Sequence, residues 1–187
     1  PMGLLRAVRD VQAELIAKWM SVGFIHGVMN TDNCAISGET IDYGPCAFLD
    51  EYHHDTVFTS IDHHGRYAYS NQPNVIVWNL AQLATSLIQI MPDRDAAVEE
   101  ATEIVHAMPD LIQLHWLRLF RSKIGLNSQQ DGDLALISDL LARMAAEKAD
   151  FTNTFRGLSS GKARAQFTDP SSFDAWHTNW QARLSDE

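Results

Sequence analysis

The sequence predicts a mainly α-helical domain with one small β-hairpin near its start. Three observations carry this. Apolar residues recur at helical spacing over residues 3–23 and again over most of the chain after residue 74. Helix-boundary residues punctuate that second stretch. Two short β-prone runs, "CAIS" and "TIDY", flank Ser37-Gly38-Glu39. At 187 residues the chain is long enough for one domain with its own core.

The first helix is expected to turn Leu4, Val8, Val11, Leu15 and Trp19 to one side. A polar loop around Asn30–Asn33 leads into the hairpin. Residues 45–73 read as irregular, with Pro45, Gly65, Pro73 and many acids and histidines. From Asn74 the apolar helix "NVIVWNLAQLATSLIQIM" runs to Pro92. "DRDAAVEEATEIVHAM" opens with acids, where the helix dipole favours them. "DLIQLHWLRLFRSKIG" closes with basic residues and Gly125 as a C-terminal cap. "DGDLALISDLLARMAAEK" is a further amphipathic helix. "DPSSFDAWHTNWQARL" starts at Asp169 as N-cap with Pro170 in the first turn. No internal repeat and no domain linker is visible, so one body is expected: a helix over 1–24, a functional loop and hairpin over 25–44, an irregular segment over 45–73 and helices over 74–187.

Composition narrows the function. The formal net charge of -10 argues against non-specific nucleic-acid binding, which needs a basic surface. No apolar run approaches the ~20 residues of a membrane span, and "PMGLLRAVRD" has no signal-peptide core. Cys34 and Cys46 form no C-x-x-C pair and are expected to be reduced thiols, which together with the missing signal peptide points to a cytoplasmic setting.

The chemistry concentrates in "HGVMNTDNCAISGETIDYG", His26 to Gly44. A protein-kinase catalytic loop has the form H-R-D-x-x-x-x-N followed by a hairpin and D-F-G. Here the His, the Asn and a D-x-G are present, but Val28 stands where the kinase base would be. A turn centred on Ser37–Gly38 puts Asn33 across from Asp42, with Cβ atoms about 4.5–5.5 Å apart. An amide oxygen and a carboxylate are hard ligands suited to Mg²⁺. Asp32 is the remaining carboxylate and could accept a hydroxyl proton. The plain alternative is that Asp32 and Asn33 only form an Asx turn. His26 is expected to position backbone, and Gly27 and Gly44 to take backbone conformations that disfavour a Cβ.

"HGVMNTDN", "TIDYGP", "DHHGRYAYSNQP" and "WNLAQLA" occur in the order found in the selenoprotein O family, and the likeness continues weakly through "LLARMAAEKADFTNTFRGLS". The sequence resembles that family over about residues 1–160. The resemblance implies a protein-kinase-like C-terminal lobe and transfer of AMP from ATP to protein Ser, Thr or Tyr hydroxyls. It implies Asp32 as proton acceptor, Asn33 and Asp42 as Mg²⁺ ligands, and Asp42 also against the nucleotide. Val28 is then the family's ordinary residue. The family's nucleotide-clamping N-lobe and its C-terminal redox motif have no counterpart here, so the chain is expected to be a C-lobe fragment, catalytically silent alone. A noncatalytic pseudokinase module that binds protein, and an ordinary protein kinase, are the competing readings. Asp32, Asn33 and Asp42 together argue against the first, and Val28 against the second.

Three other features draw plainer expectations. "DEYHHDTVFTSIDHH" tempts a zinc assignment, but neighbouring histidines seldom converge, and a solvated acidic loop is expected; the resemblance, which runs through "DHHGRY", implies that it shapes the substrate side of the cleft. The five tryptophans are expected to pack between helices. "RGLSSGKARAQ" reads as a mobile basic loop.

Overall fold

The computed structural model describes residues 1–187. Seven helices carry the architecture: α1 (Met2–Ser21), α2 (Gln72–Ile88), α3 (Arg94–His106), α4 (Met108–Lys123), α5 (Asp133–Glu147), α6 (Phe151–Ser160) and α7 (Pro170–Leu184). One antiparallel sheet of two short strands, β1 (Phe24–Ile25) and β2 (Ala47–Phe48), completes it. The fold is therefore mainly helical, as the periodicity predicts, with one small sheet. No helix is long and apolar enough to cross a membrane.

Capping residues set several of the helix ends. Asp93 accepts the Ala96 N–H at 3.1 Å to start α3, and Asp169 accepts the Ser171 N–H at 2.9 Å to start α7. At the end of α4, Gly125 takes φ +80°, the Leu126 N–H reaches Arg121 O at 2.9 Å and the Gly125 N–H reaches Ser122 O at 3.2 Å. That pair of bonds is a Schellman closure, which favours glycine at its left-handed position.

Two apolar cores lie in the body. One gathers residues of α1, α2 and α3, including Leu5, Ile16, Ile76 and Ile104. The other gathers α4 to α7 around Phe120, Leu140, Phe151 and Trp176. β1 joins them: Phe24 packs into the first core and the next residue, Ile25, into the second. Alternate strand side chains point to opposite faces, so two residues suffice to bridge both.

Three expectations are corrected. The buried stripe of α1 runs through Leu5, Val8, Gln12, Ala13, Ile16 and Ala17, whereas Leu4 and Val11 are 45% and 39% exposed. Small alanines add little to an apolar count, so the stripe reads as rotated. The sheet does not lie between "CAIS" and "TIDY", which meet only at a single Cys34–Thr40 bridge. Finally, "RGLSSGKARAQ" is not a loop throughout: α6 runs to Ser160, a 3-10 turn covers Ala163–Gln166, and Ala163 is 1% exposed.

Candidate active site

The β1–β2 pairing, Phe24 with Phe48 and Ile25 with Ala47, closes residues 26–46 into one loop on a fixed base. Every candidate residue lies on that loop. Asp32 and Asn33 sit on a 3-10 turn, Thr31–Asn33, with Asp32 exposed and Asn33 half-buried. Asp42 lies exposed on the returning limb.

The expected register is off by one. The Cys34–Thr40 bridge puts Ile41, not Asp42, across from Asn33 by count. A turn from Ala35 to Gly38, closed by the Gly38 N–H on Ala35 O at 3.0 Å, sets this register. A one-residue slip moves every side chain to the other face of a ladder. Here the ladder stops after one pair, because residues 31–33 coil instead of extending. Asp42 is then aimed by its own backbone: its φ is +54°, one of two non-glycine residues with positive φ. Asp tolerates that conformation better than most residues, and such outliers gather at functional sites.

The loop is tied down from several sides. His26 is fully buried and stacks on Trp19 at 5.2 Å. Its Nδ1 accepts the Val28 N–H at 3.4 Å, and its Nε2 donates to Ile41 O at 2.8 Å, which joins the two limbs. The positioning role expected for His26 agrees with these bonds. Trp19 Nε1 donates to Thr40 Oγ1 at 2.9 Å, and the Gln12 side chain donates to Ala35 O. Gly27 has φ +84°, and a Cβ there would lie 2.7 Å from Thr59 Oγ1. Gly44 differs from expectation: its φ is not positive, and an added Cβ would meet Asp42 Oδ1 at an ordinary 3.5 Å.

Two positioning residues escape the sequence reading, both on α2. Gln72 Oε1 accepts the His26 N–H at 3.0 Å, and its Nε2 donates to Phe24 O at 3.0 Å. Asn79 Nδ2 donates to Met29 O at 3.0 Å and to Cys34 Sγ at 3.0 Å. One signal was available. Gln72, Val75, Ile76, Asn79 and Leu80 form a buried helical face, so two amides interrupt an apolar stripe. Amides in such places need partners. Burial pushes the Cys34 thiol up, against the bond from Asn79, so it stays protonated; Cys34 and Cys46 are both free thiols.

Asn33 Nδ2 donates to Val28 O at 2.9 Å. That bond commits the amide nitrogen and leaves Oδ1 as an acceptor. Asn33 Oδ1 and the Asp42 carboxylate are hard oxygen donors on one closed loop, the type of donor a hard divalent cation takes.

The segment 45–73 forms one wall beside the loop. His53, His54 and Asp55 bring their ligand atoms within 4.8 Å of one another, closer than the sequence expectation, but all three are exposed. Trp19, Trp176 and Trp180 are buried as expected, and Trp116 half-buried. Trp78 is the exception at 46% exposure, with the Arg66 guanidinium 4.8 Å above its ring.

Comparison with known proteins agrees with the motif order. A protein of Ruegeria pomeroyi named protein nucleotidyltransferase YdiU is 66% identical over 187 residues, covering 100% of this chain and 40% of its own length. The protein of the same name from Jannaschia sp. is 54% identical over 188 residues, covering 99% of this chain and 39% of its own. The chain thus spans about 40% of the length of these curated relatives. The family model described as protein adenylyltransferase SelO matches residues 3–185, and the chain belongs to that family.

Proposed function

We propose that the chain forms the catalytic-loop side of a kinase-like cleft in which AMP passes from ATP to a protein Ser, Thr or Tyr hydroxyl. The observation that carries this reading is the closed loop 26–46. It holds the adjacent Asp32 and Asn33 on one turn and Asp42 at positive φ, with its backbone fixed by Gln72, Asn79 and His26. A solvated Asx turn needs none of that bracing. The SelO match and the nucleotidyltransferase names of the relatives support the reaction class.

The reaction follows from the residues. The Asp32 carboxylate, exposed at the turn, takes the proton of the acceptor hydroxyl. The acceptor oxygen bonds to the α-phosphorus, the bond from that phosphorus to the bridging oxygen breaks, and pyrophosphate leaves with the electron pair. Val28 offers no proton acceptor, and in this reading Asp32 takes that role. Asn33 Oδ1 and Asp42 would hold Mg²⁺, which when bound offsets charge on the phosphates. Holding the loop rigid supplies orientation before chemistry begins.

Labelled ATP separates this reaction from phosphorylation. The full-length protein is expected to transfer label from the α-phosphate to protein acceptors and none from the γ-phosphate. Incorporation from the γ-position alone would return the protein to the kinases.

A further inference from the structure

The wall facing the catalytic loop holds an arginine that the reaction above does not use. Resting on the adenylyl-transfer reading, we propose that the cavity beside Val28 receives the acceptor polypeptide, and that Arg66 selects acceptors with a carboxylate next to the modified hydroxyl.

The cavity, of about 640 Å³, is lined by Val28 and Asn30 on the loop and by Ile61, Asp62, Arg66 and Tyr67 across from them. That volume suits several residues of an extended segment. Asn30 lies two residues before Asp32 in the chain, on the same loop. Ile61 is 77% exposed and offers apolar surface at the rim.

The wall is pre-formed and bound to the loop. The Tyr67 hydroxyl donates to Asn30 Oδ1 at 2.5 Å, and the Thr59 hydroxyl donates to Gly27 O. Asp62 accepts the Arg66 N–H at 2.9 Å and the Tyr67 N–H at 2.8 Å. Asn71 Nδ2 donates to Arg66 O at 2.6 Å. The Arg66 backbone is therefore held at both its N–H and its carbonyl.

Its side chain is held as well. The guanidinium lies over the Trp78 ring at 4.8 Å and 5.7 Å from the Tyr67 ring centre. Most arginines of this acidic chain pair with a carboxylate, but Arg66 makes no such pair. Asp62 is the one acid in the lining, and it turns its oxygens to backbone N–H groups. A planar cation, already ordered against aromatic rings, is suited to a carboxylate and loses little freedom on receiving one.

Two serine peptides that differ only by Glu or Gln beside the serine test this in the full-length protein. The wild type should label the Glu peptide with kcat/KM at least about tenfold above the Gln peptide, as expected for a charge-assisted bond. Arg66→Ala should bring the ratio to about one through KM, and Arg66→Lys should keep part of it. Mg²⁺-ATP affinity and peptide binding by fluorescence anisotropy are measured on the same proteins. A wild-type ratio near one overturns the proposal. So does an equal loss on both peptides, or a weakened ATP affinity in Arg66→Ala, which would make the guanidinium a phosphate contact. If no α-label moves but the Glu peptide binds through Arg66, the docking site stands and the transferase reading fails. Absence of binding to either peptide overturns the docking site itself.

Discussion

Asp133→Asn is expected to lower the stability of the fold by about 3–5 kcal/mol, the usual cost of removing one partner from a buried ion cluster. Asp133 opens α5 and is 1% exposed. Its Oδ2 accepts Arg121 Nε from α4 at 2.7 Å and the Gln130 N–H at 2.9 Å, and its Oδ1 accepts Arg183 Nε from α7 at 2.8 Å. One carboxylate thus clips three helices. Asparagine keeps the shape but leaves the Arg121 guanidinium without a counter-charge and Arg183 with Glu187 alone, at 2.7 Å. For a chain of this size the loss corresponds to a melting point lower by about 6–20 °C. Asp139→Asn is the control: its pair with Arg143 at 3.0 Å is a half-exposed i,i+4 pair within one helix and is worth under about 1 kcal/mol. A cost below about 1 kcal/mol for Asp133→Asn would remove the clip from the account.

The same group gives a pH signature. Burial alone would raise the Asp133 carboxyl, but the bonds from Arg183, the Gln130 N–H and Arg121 outweigh it and hold the group below its usual range. The unfolded value is about 3.9. A depressed folded value means the contribution is complete above about pH 4 and drains away as pH falls through the folded value. Urea melts across acid pH should show that loss in the wild type, and Asp133→Asn should lack this component.

Helices were legible where the chain marks its own boundaries. Asp93, Gly125, Asp169 and Pro170 are local signals, and each sits at the helix end it announces. The sheet was not legible, because two-residue strands are too short to show alternation. Their pairing, Phe24 with Phe48, depends on what packs around them. α6 was missed because it is only ten residues long, with Gly157 inside it and two serines at its end. The candidate residues were legible as a motif, whereas their geometry was not. Register turned on a five-residue connection whose length no residue in "AISGE" declares. The bonds that brace the loop come from Gln72 and Asn79, 46 and 50 residues away from His26 and Met29. Local propensity carries no information about partners at that distance.

The effect of Asp32→Asn bears most directly on the chemistry. Asparagine preserves size and can still accept a hydrogen bond from the acceptor hydroxyl, but it cannot take the proton at neutral pH. Removing a general base typically costs about 10²–10⁴ in rate. Single-turnover transfer of α-labelled AMP by the full-length protein should fall by that factor. Mg²⁺-ATP affinity, measured by calorimetry, should stay within about threefold, because Asp32 is neither of the oxygens assigned to the metal. The 3-10 turn should also persist, since its backbone is held by the Asn33 N–H on Asn30 O at 3.0 Å and by Asn33 Nδ2 on Val28 O, neither of which involves the Asp32 side chain. Asp42→Asn should divide the other way, weakening Mg²⁺-ATP binding by removing the anionic donor of the pair. If Asp32→Asn instead abolished nucleotide binding and left the rate per bound ATP unchanged, Asp32 would belong to the metal site. The proton would then need an acceptor elsewhere, and Asp62, the one carboxylate lining the cavity beside Val28, is the next to test.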